Sequence, residues 1–132
     1  MQNLEVLAPA GDEERFGAAL NYGADAIYLG RKQFGMRSSP GNFDFEQLVK
    51  AVSAAHERGV KVYLTCNTLP RNNEIPMFEK FLEEAVEAGV DALIVADVGL
   101  FMMIKRLAPD IEIHISTQTG IVNYATAREF YT

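Results

Sequence analysis

Gly23-Ala-Asp-Ala-Ile-Tyr-Leu29 recurs in altered form twice, as Gly59-Val-Lys-Val-Tyr-Leu64 and as Gly89-Val-Asp-Ala-Leu-Ile-Val95. In each copy a helical pattern ends at the glycine and an apolar strand follows. A glycine just past a helix lets the chain turn back through the left-handed region without a Cβ clash. A helix between consecutive strands makes a right-handed crossover, so these strands run parallel, and their continuous apolar character fits strands covered on both faces. The repeat therefore predicts an α/β fold. A fourth unit passes Pro109 into the strand around Ile111-Glu-Ile-His-Ile-Ser116, and a fifth helix begins at Asn123. About five βα units with a parallel sheet make a partial (β/α)8 barrel of the TIM type, short of the roughly eight that close one.

Working outward, the strands are expected at 5–8, 26–29, about 61–65, 92–95 and 111–116. Asp12 is placed to cap the first helix, which carries Phe16, Ala19 and Leu20 inward. Asp44 with Gln47 has capping-box spacing, and Phe45, Leu48, Val49, Val52 and Ala55 form the inward stripe of the second helix. Pro76 opens the third, with Phe78, Phe81, Leu82, Ala85 and Val86 toward the core. The helix at 100–107 is apolar on several sides, which suits burial between neighbours. The last carries Tyr124, Ala127 and Tyr131. No linker or low-complexity tract interrupts the chain, so residues 1–132 read as one incomplete barrel domain.

Composition narrows the classes. Apolar residues make up 48% of the 132, enough for a core. No run approaches the roughly 18 apolar residues of a membrane span, and the first residues lack an export signal, so no membrane partner is expected. The single cysteine, Cys66, forms no internal disulfide and fits a reducing cytoplasm. A net charge of −6 argues against nonspecific binding to polyanions, which rests on Lys and Arg.

Parallel α/β folds build their sites on the loops after the strands. That rule selects Pro9 and Gly11, Phe34 and Arg37, Asn67 and Thr68, Asp97, and Ser116 and Gln118. His114 shares a strand face with Ser116. If that face points into a barrel, His114, Ser116 and Gln118 form a polar ladder rising toward the mouth. Asp97 and His114 are the catalytic candidates, and Arg37, Asn67, Thr68, Ser116 and Gln118 the substrate-binding ones. Each has a structural alternative. Asp97 sits where a helix cap belongs, His114 suits a satisfied core histidine, Cys66 a small buried hydrophobe, and Asn67 an Asx turn. Arg31, Lys32 and Arg37 on the long 30–43 loop read either as a solvated cluster or as a site for an anionic ligand. His56 reads as solvated surface. The zinc-hydrolase helix, the serine-hydrolase elbow, the P-loop, the dinucleotide-binding glycines and paired metal-ligand cysteines are all absent.

Taken in order, Leu7-Ala-Pro-Ala-Gly11, Gly23-Ala-Asp-Ala-Ile-Tyr-Leu-Gly30 with Phe34 and Arg37, Cys66-Asn-Thr68, Asp97-x-Gly99 and His114-Ile-Ser-Thr-Gln118 span the chain. They resemble the amino-terminal barrel of the collagenase-like peptidases, peptidase family U32. That resemblance implies a barrel and either of two chemistries. Members were named for collagenase activity, and others are implicated in hydroxylating tRNA and ribosomal RNA bases or ubiquinone. An RNA-modifying parent acting on pyrimidines is the leading expectation, with RNA as partner. A collagenase-like protease, in which Asp97 and His114 position a water or metal, is the alternative. A non-catalytic scaffold or assembly module is the third. In hydroxylation-linked relatives a cysteine-rich segment downstream of the barrel holds an iron–sulfur cluster. No cofactor or metal site is expected within this chain, and activity of this chain alone is not expected. Unpaired edges at the first and fifth strands predict self-association.

Overall fold

A computed structural model describes residues 3–36 and 41–131. Its single parallel sheet has strand order β1-β2-β3-β4-β5: β1 is Leu7–Ala10, β2 Ala26–Gly30, β3 Lys61–Cys66, β4 Ala92–Val95 and β5 Glu112–Ile115. Between them run α1 (Glu13–Asn21), α2 (Phe45–Glu57), α3 (Ile75–Ala88) and α4 (Val98–Leu107), and α5 (Tyr124–Phe130) follows β5. Strand neighbours in space are strand neighbours in sequence, as in one arc of a barrel wall.

The repeated glycines act as the sequence implies. Gly23, Gly59 and Gly89 all take positive φ, between 70° and 93°. The aspartates two residues on have a further use. Asp25 Oδ2 accepts the N–H of Val6 at 2.7 Å, and Asp91 Oδ2 accepts the N–H of Val62 at 2.7 Å. Each carboxylate thus reaches the backbone at or just before the preceding strand, and ties together ends that the ladder leaves unpaired. Asp91 Oδ2 also accepts Nε2–H of His56 at 2.8 Å, so His56 clips α2 to the start of β4 rather than standing free in solvent.

Alternation divides the strand side chains. Ile27, Leu29, Val62, Leu64, Cys66, Leu93 and Val95 pack with the helices into the main core. Ala26, Tyr63 and Ala92, with Tyr28 and Ile94 against them, form a small cluster on the opposite face, which corresponds to a barrel's inner wall.

Several expectations are corrected. β1 starts and ends two residues later than 5–8 and contains Pro9. An edge strand tolerates a proline, because its missing N–H costs the ladder no bond. Val49 and Val86 lie at the margins of their helical stripes and are exposed. In α4 only Leu100, Phe101 and Ile104 are buried, leaving Val98, Met102 and Leu107 exposed, so this helix is covered on one side only. α5 docks through Phe130, whose ring meets Phe101 edge-on at 5.2 Å, while Tyr124 and Tyr131 face outward.

Candidate functional site

Three loops meet at the carboxyl ends of the strands. Asn67, just after β3, accepts the Met36 N–H on Oδ1 at 3.2 Å and donates from Nδ2 to Gln118 Oε1 at 3.3 Å. The Ser116 hydroxyl, buried just after β5, donates to the same Gln118 oxygen at 2.5 Å. Its Oγ also accepts a long bond from the Gln118 N–H at 3.5 Å. Thr119 Oγ1 donates to the Ala96 carbonyl at 3.1 Å, which ties this loop to the end of β4. Thr68 contributes through its backbone: its N–H bonds the Phe34 carbonyl at 3.2 Å. Asn67, Ser116 and Gln118 are thus one connected edge, as the strand-end rule expects.

The loop after β2 is held there under strain. Phe34 is the one non-glycine residue at positive φ among the described residues, at 61°, where a bulky side chain is an outlier costing about 1–3 kcal/mol. Its ring is fixed edge-on between Phe78 and Phe81, with centroids at 5.3 and 5.0 Å. Arg31, from the same loop, pairs with Glu84 and lays its guanidinium over Phe81 at 5.6 Å. This arginine is therefore spoken for by α3. Arg37 lies outside the described residues.

Asp97 caps α4: Oδ2 accepts the Leu100 N–H at 2.9 Å. A Cβ added at Gly99 would come within 2.9 Å of that oxygen, which accounts for the Asp97-x-Gly99 pairing as cap chemistry. The bonds of the described residues do not connect Asp97 to the Asn67–Gln118 edge.

His114 stands on the inner wall. Its Nε2–H donates to Glu112 Oε1 at 2.5 Å, and its ring meets Tyr63 edge-on at 4.6 Å. The Tyr63 hydroxyl in turn donates to Glu5, 3.0 Å from both carboxylate oxygens. Burial first, then the Glu5 bond and charge, push the phenol up to about 12. Tyr63, Glu5 and Glu112 escaped the sequence reading. Strand parity with Asn67 was the available signal for Tyr63, and parity with His114 for Glu112. Glu5 precedes β1 and meets Tyr63 across 58 positions, a contact without a local signature.

Cys66 is sealed under the helices, and burial raises its thiol well above the ordinary range, which suits an inert core residue. Among the described residues no three His, Cys, Asp or Glu side chains are grouped to hold a metal. No helix of the described residues is long and apolar enough to cross a membrane.

Residues 11–132 match the model of peptidase family U32. The chain is 38% identical over 120 residues to tRNA hydroxylation protein P1 of Bacillus subtilis (strain 168), covering 91% of this chain and 28% of that protein. It is 36% identical over 132 residues to a collagenase of Porphyromonas gingivalis (strain ATCC BAA-308 / W83), covering 99% of this chain and 31% of that protein. The chain therefore spans under a third of the length of these curated relatives. Among solved structures, the U32 peptidase Mk0906 superposes with a TM-score of 0.74 at 15% identity, over 98% of this chain and 56% of that one.

Proposed function

The chain belongs to peptidase family U32, and from that premise we propose that it is the amino-terminal barrel portion of an RNA-modifying protein that hydroxylates pyrimidines in tRNA or ribosomal RNA. The observation that carries the reading is the connected edge of Asn67, Ser116 and Gln118 at the carboxyl ends of the strands, where such folds bind ligands. Similarity to a tRNA hydroxylation protein supports it. The substrate-binding residues are Asn67, Ser116 and Gln118, with Thr68 fixing the loop and Arg37 supplying charge to the phosphate backbone. His114 and Asp97 lie one on the wall and one at the rim, and serve as the catalytic candidates. The protein works in the cytoplasm, where its single cysteine stays reduced.

Hydroxylation needs redox chemistry that ordinary side chains lack. This chain's donors do not fit an iron–sulfur cluster, because its one sulfur ligand is buried behind the sheet. In this reading any such cluster is held by cysteines elsewhere in the parent protein. Deleting the parent gene should abolish hydroxylated pyrimidines in tRNA or ribosomal RNA, measured by mass spectrometry of nucleosides. Unchanged hydroxylation would sink the proposal.

Similarity to a collagenase favours a second reading, proteolysis with Asp97 and His114 positioning a water or metal. The Ser116 hydroxyl is bonded to an amide oxygen rather than to a base, so it lacks the activation of a serine nucleophile. Gelatin cleavage by the purified full-length parent, lost in His114→Ala, would replace the RNA reading.

We also propose that this chain, on its own, self-associates. β1 and β5 are edges of the sheet, and edges present unpaired backbone groups. Sedimentation velocity should show a coefficient that rises with concentration. A monomer unchanged over the accessible range would overturn this.

A further inference from the structure

The hydrogen bonds at the mouth have a fixed direction, and that direction selects the ligand. A backbone N–H only donates, so the Asn67 atom facing Met36 is its oxygen, and the atom facing Gln118 is its nitrogen. Gln118 therefore presents its oxygen to Asn67. The same oxygen receives the Ser116 hydroxyl, whose own Oγ takes the Gln118 N–H. Both amide oxygens are thus engaged inside the protein, that of Gln118 twice and that of Asn67 once. Most of what the two amides leave to a ligand is N–H: the pair on Gln118 Nε2 and the second hydrogen of Asn67 Nδ2.

An edge rich in donors favours acceptors over donors, because a facing donor would leave both groups unpaired. The described donors are neutral amides. Arg31 is committed to Glu84, and the chain as a whole carries a net charge of −6. An uncharged acceptor suits neutral amide donors better than an oxyanion, whose binding draws on charged ones.

We infer that Asn67 and Gln118 form a donor-rich recognition edge for a neutral carbonyl group, such as the carbonyl edge of a nucleobase. This deepens the RNA reading and, as a binding property, is measured apart from it. Gln118 is exposed and Asn67 partly so, which leaves the edge accessible.

The test uses the side-chain amide resonances of Asn67 and Gln118 in the 132-residue chain, titrated with free uracil, free cytosine and inorganic phosphate. Cytosine offers two adjacent acceptors, O2 and N3, whereas in uracil the two carbonyl oxygens flank an N3–H donor. Cytosine should shift both amides and bind about tenfold more tightly than uracil, the worth of roughly one hydrogen bond. Phosphate should leave them in place. Gln118→Glu keeps the oxygen that Asn67 and Ser116 need but replaces the outward donor with an acceptor, and should remove the cytosine preference. Equal response to uracil and cytosine, a dominant response to phosphate, or no response at all would each overturn the inference. None of these outcomes bears on whether the parent hydroxylates RNA, which the nucleoside analysis decides separately.

Discussion

Phe81→Ala is expected to lower folding stability by about 3–5 kcal/mol, read as a reduced urea midpoint at unchanged cooperativity. The ring is 1% exposed and touches three groups. It stacks on Phe78 with centroids 5.8 Å apart, closes one side of the slot that holds Phe34, and lies under the Arg31 guanidinium. Truncation removes the ring's burial and leaves a cavity that the surrounding side chains fill poorly. It also loosens the clamp that keeps Phe34 at positive φ. Strain of that kind persists only while its surroundings enforce it, so the loop after β2 should relax. Relaxation would withdraw the Met36 N–H from Asn67 and the Phe34 carbonyl from Thr68. Amide exchange at Met36 and Thr68 should accordingly speed up by more than the global loss of stability accounts for. Phe81→Leu keeps most of the volume and should fold with a smaller loss while showing the same local loosening. A loss below about 1 kcal/mol in Phe81→Ala would show that the cluster does not bear on stability as its burial implies.

The parts of this fold legible in sequence are those governed by short-range chemistry. Gly23, Gly59 and Gly89 announced their turns because left-handed backbone excludes most other residues. Asp12, Asp44 with Gln47, and Asn123 announced their helices because a cap bonds an N–H only a few residues away. Even the correction at β1 is local in origin: Pro9 suggested a loop, and only its place at the sheet edge makes it harmless in a strand. Across longer separations the signal fades. Asn67 and Gln118 were each picked by strand-end position, but their bond to one another spans 51 positions and left no pattern. Arg31 read as a solvated or anion-binding group because its partner, Glu84, lies 53 positions on, in α3. Asp97 had two readings in sequence, and the geometry supports the cap directly. The Asp25 and Asp91 clips fall between these cases. Their carboxylates occupy matching places in the repeat, and the sequence displayed that match without revealing what it was for.

Alkaline titration should expose the Tyr63–Glu5 contact. Burial, followed by the neighbouring carboxylate, raises the Tyr63 phenol from 10.0 to about 12. A folded-state value above the unfolded one means that the contribution is whole below pH 10.0, where the phenol is protonated in both states. Between pH 10.0 and about 12 the unfolded chain releases the proton while the folded protein holds it, so stability falls as pH rises. The full loss is about 2–3 kcal/mol, and it is complete once the folded phenol ionises beside Glu5. Tyr63→Phe keeps the ring against His114 and removes the titrating group, so its stability should decline less steeply through this window. The wild type's advantage, measured by urea denaturation at successive pH values, should vanish toward the top of the window. Parallel curves for the two proteins would refute the coupling. The direction matters for the wall itself: at neutral pH the phenol is a settled donor to Glu5, and it leaves the proton on His114 Nε2 to Glu112. The two pairs share no hydrogen bond; they meet through the edge-on contact of their rings and through the charge of Glu112, which adds to the raising of the Tyr63 phenol. In that arrangement Tyr63 orients the imidazole without competing for its proton.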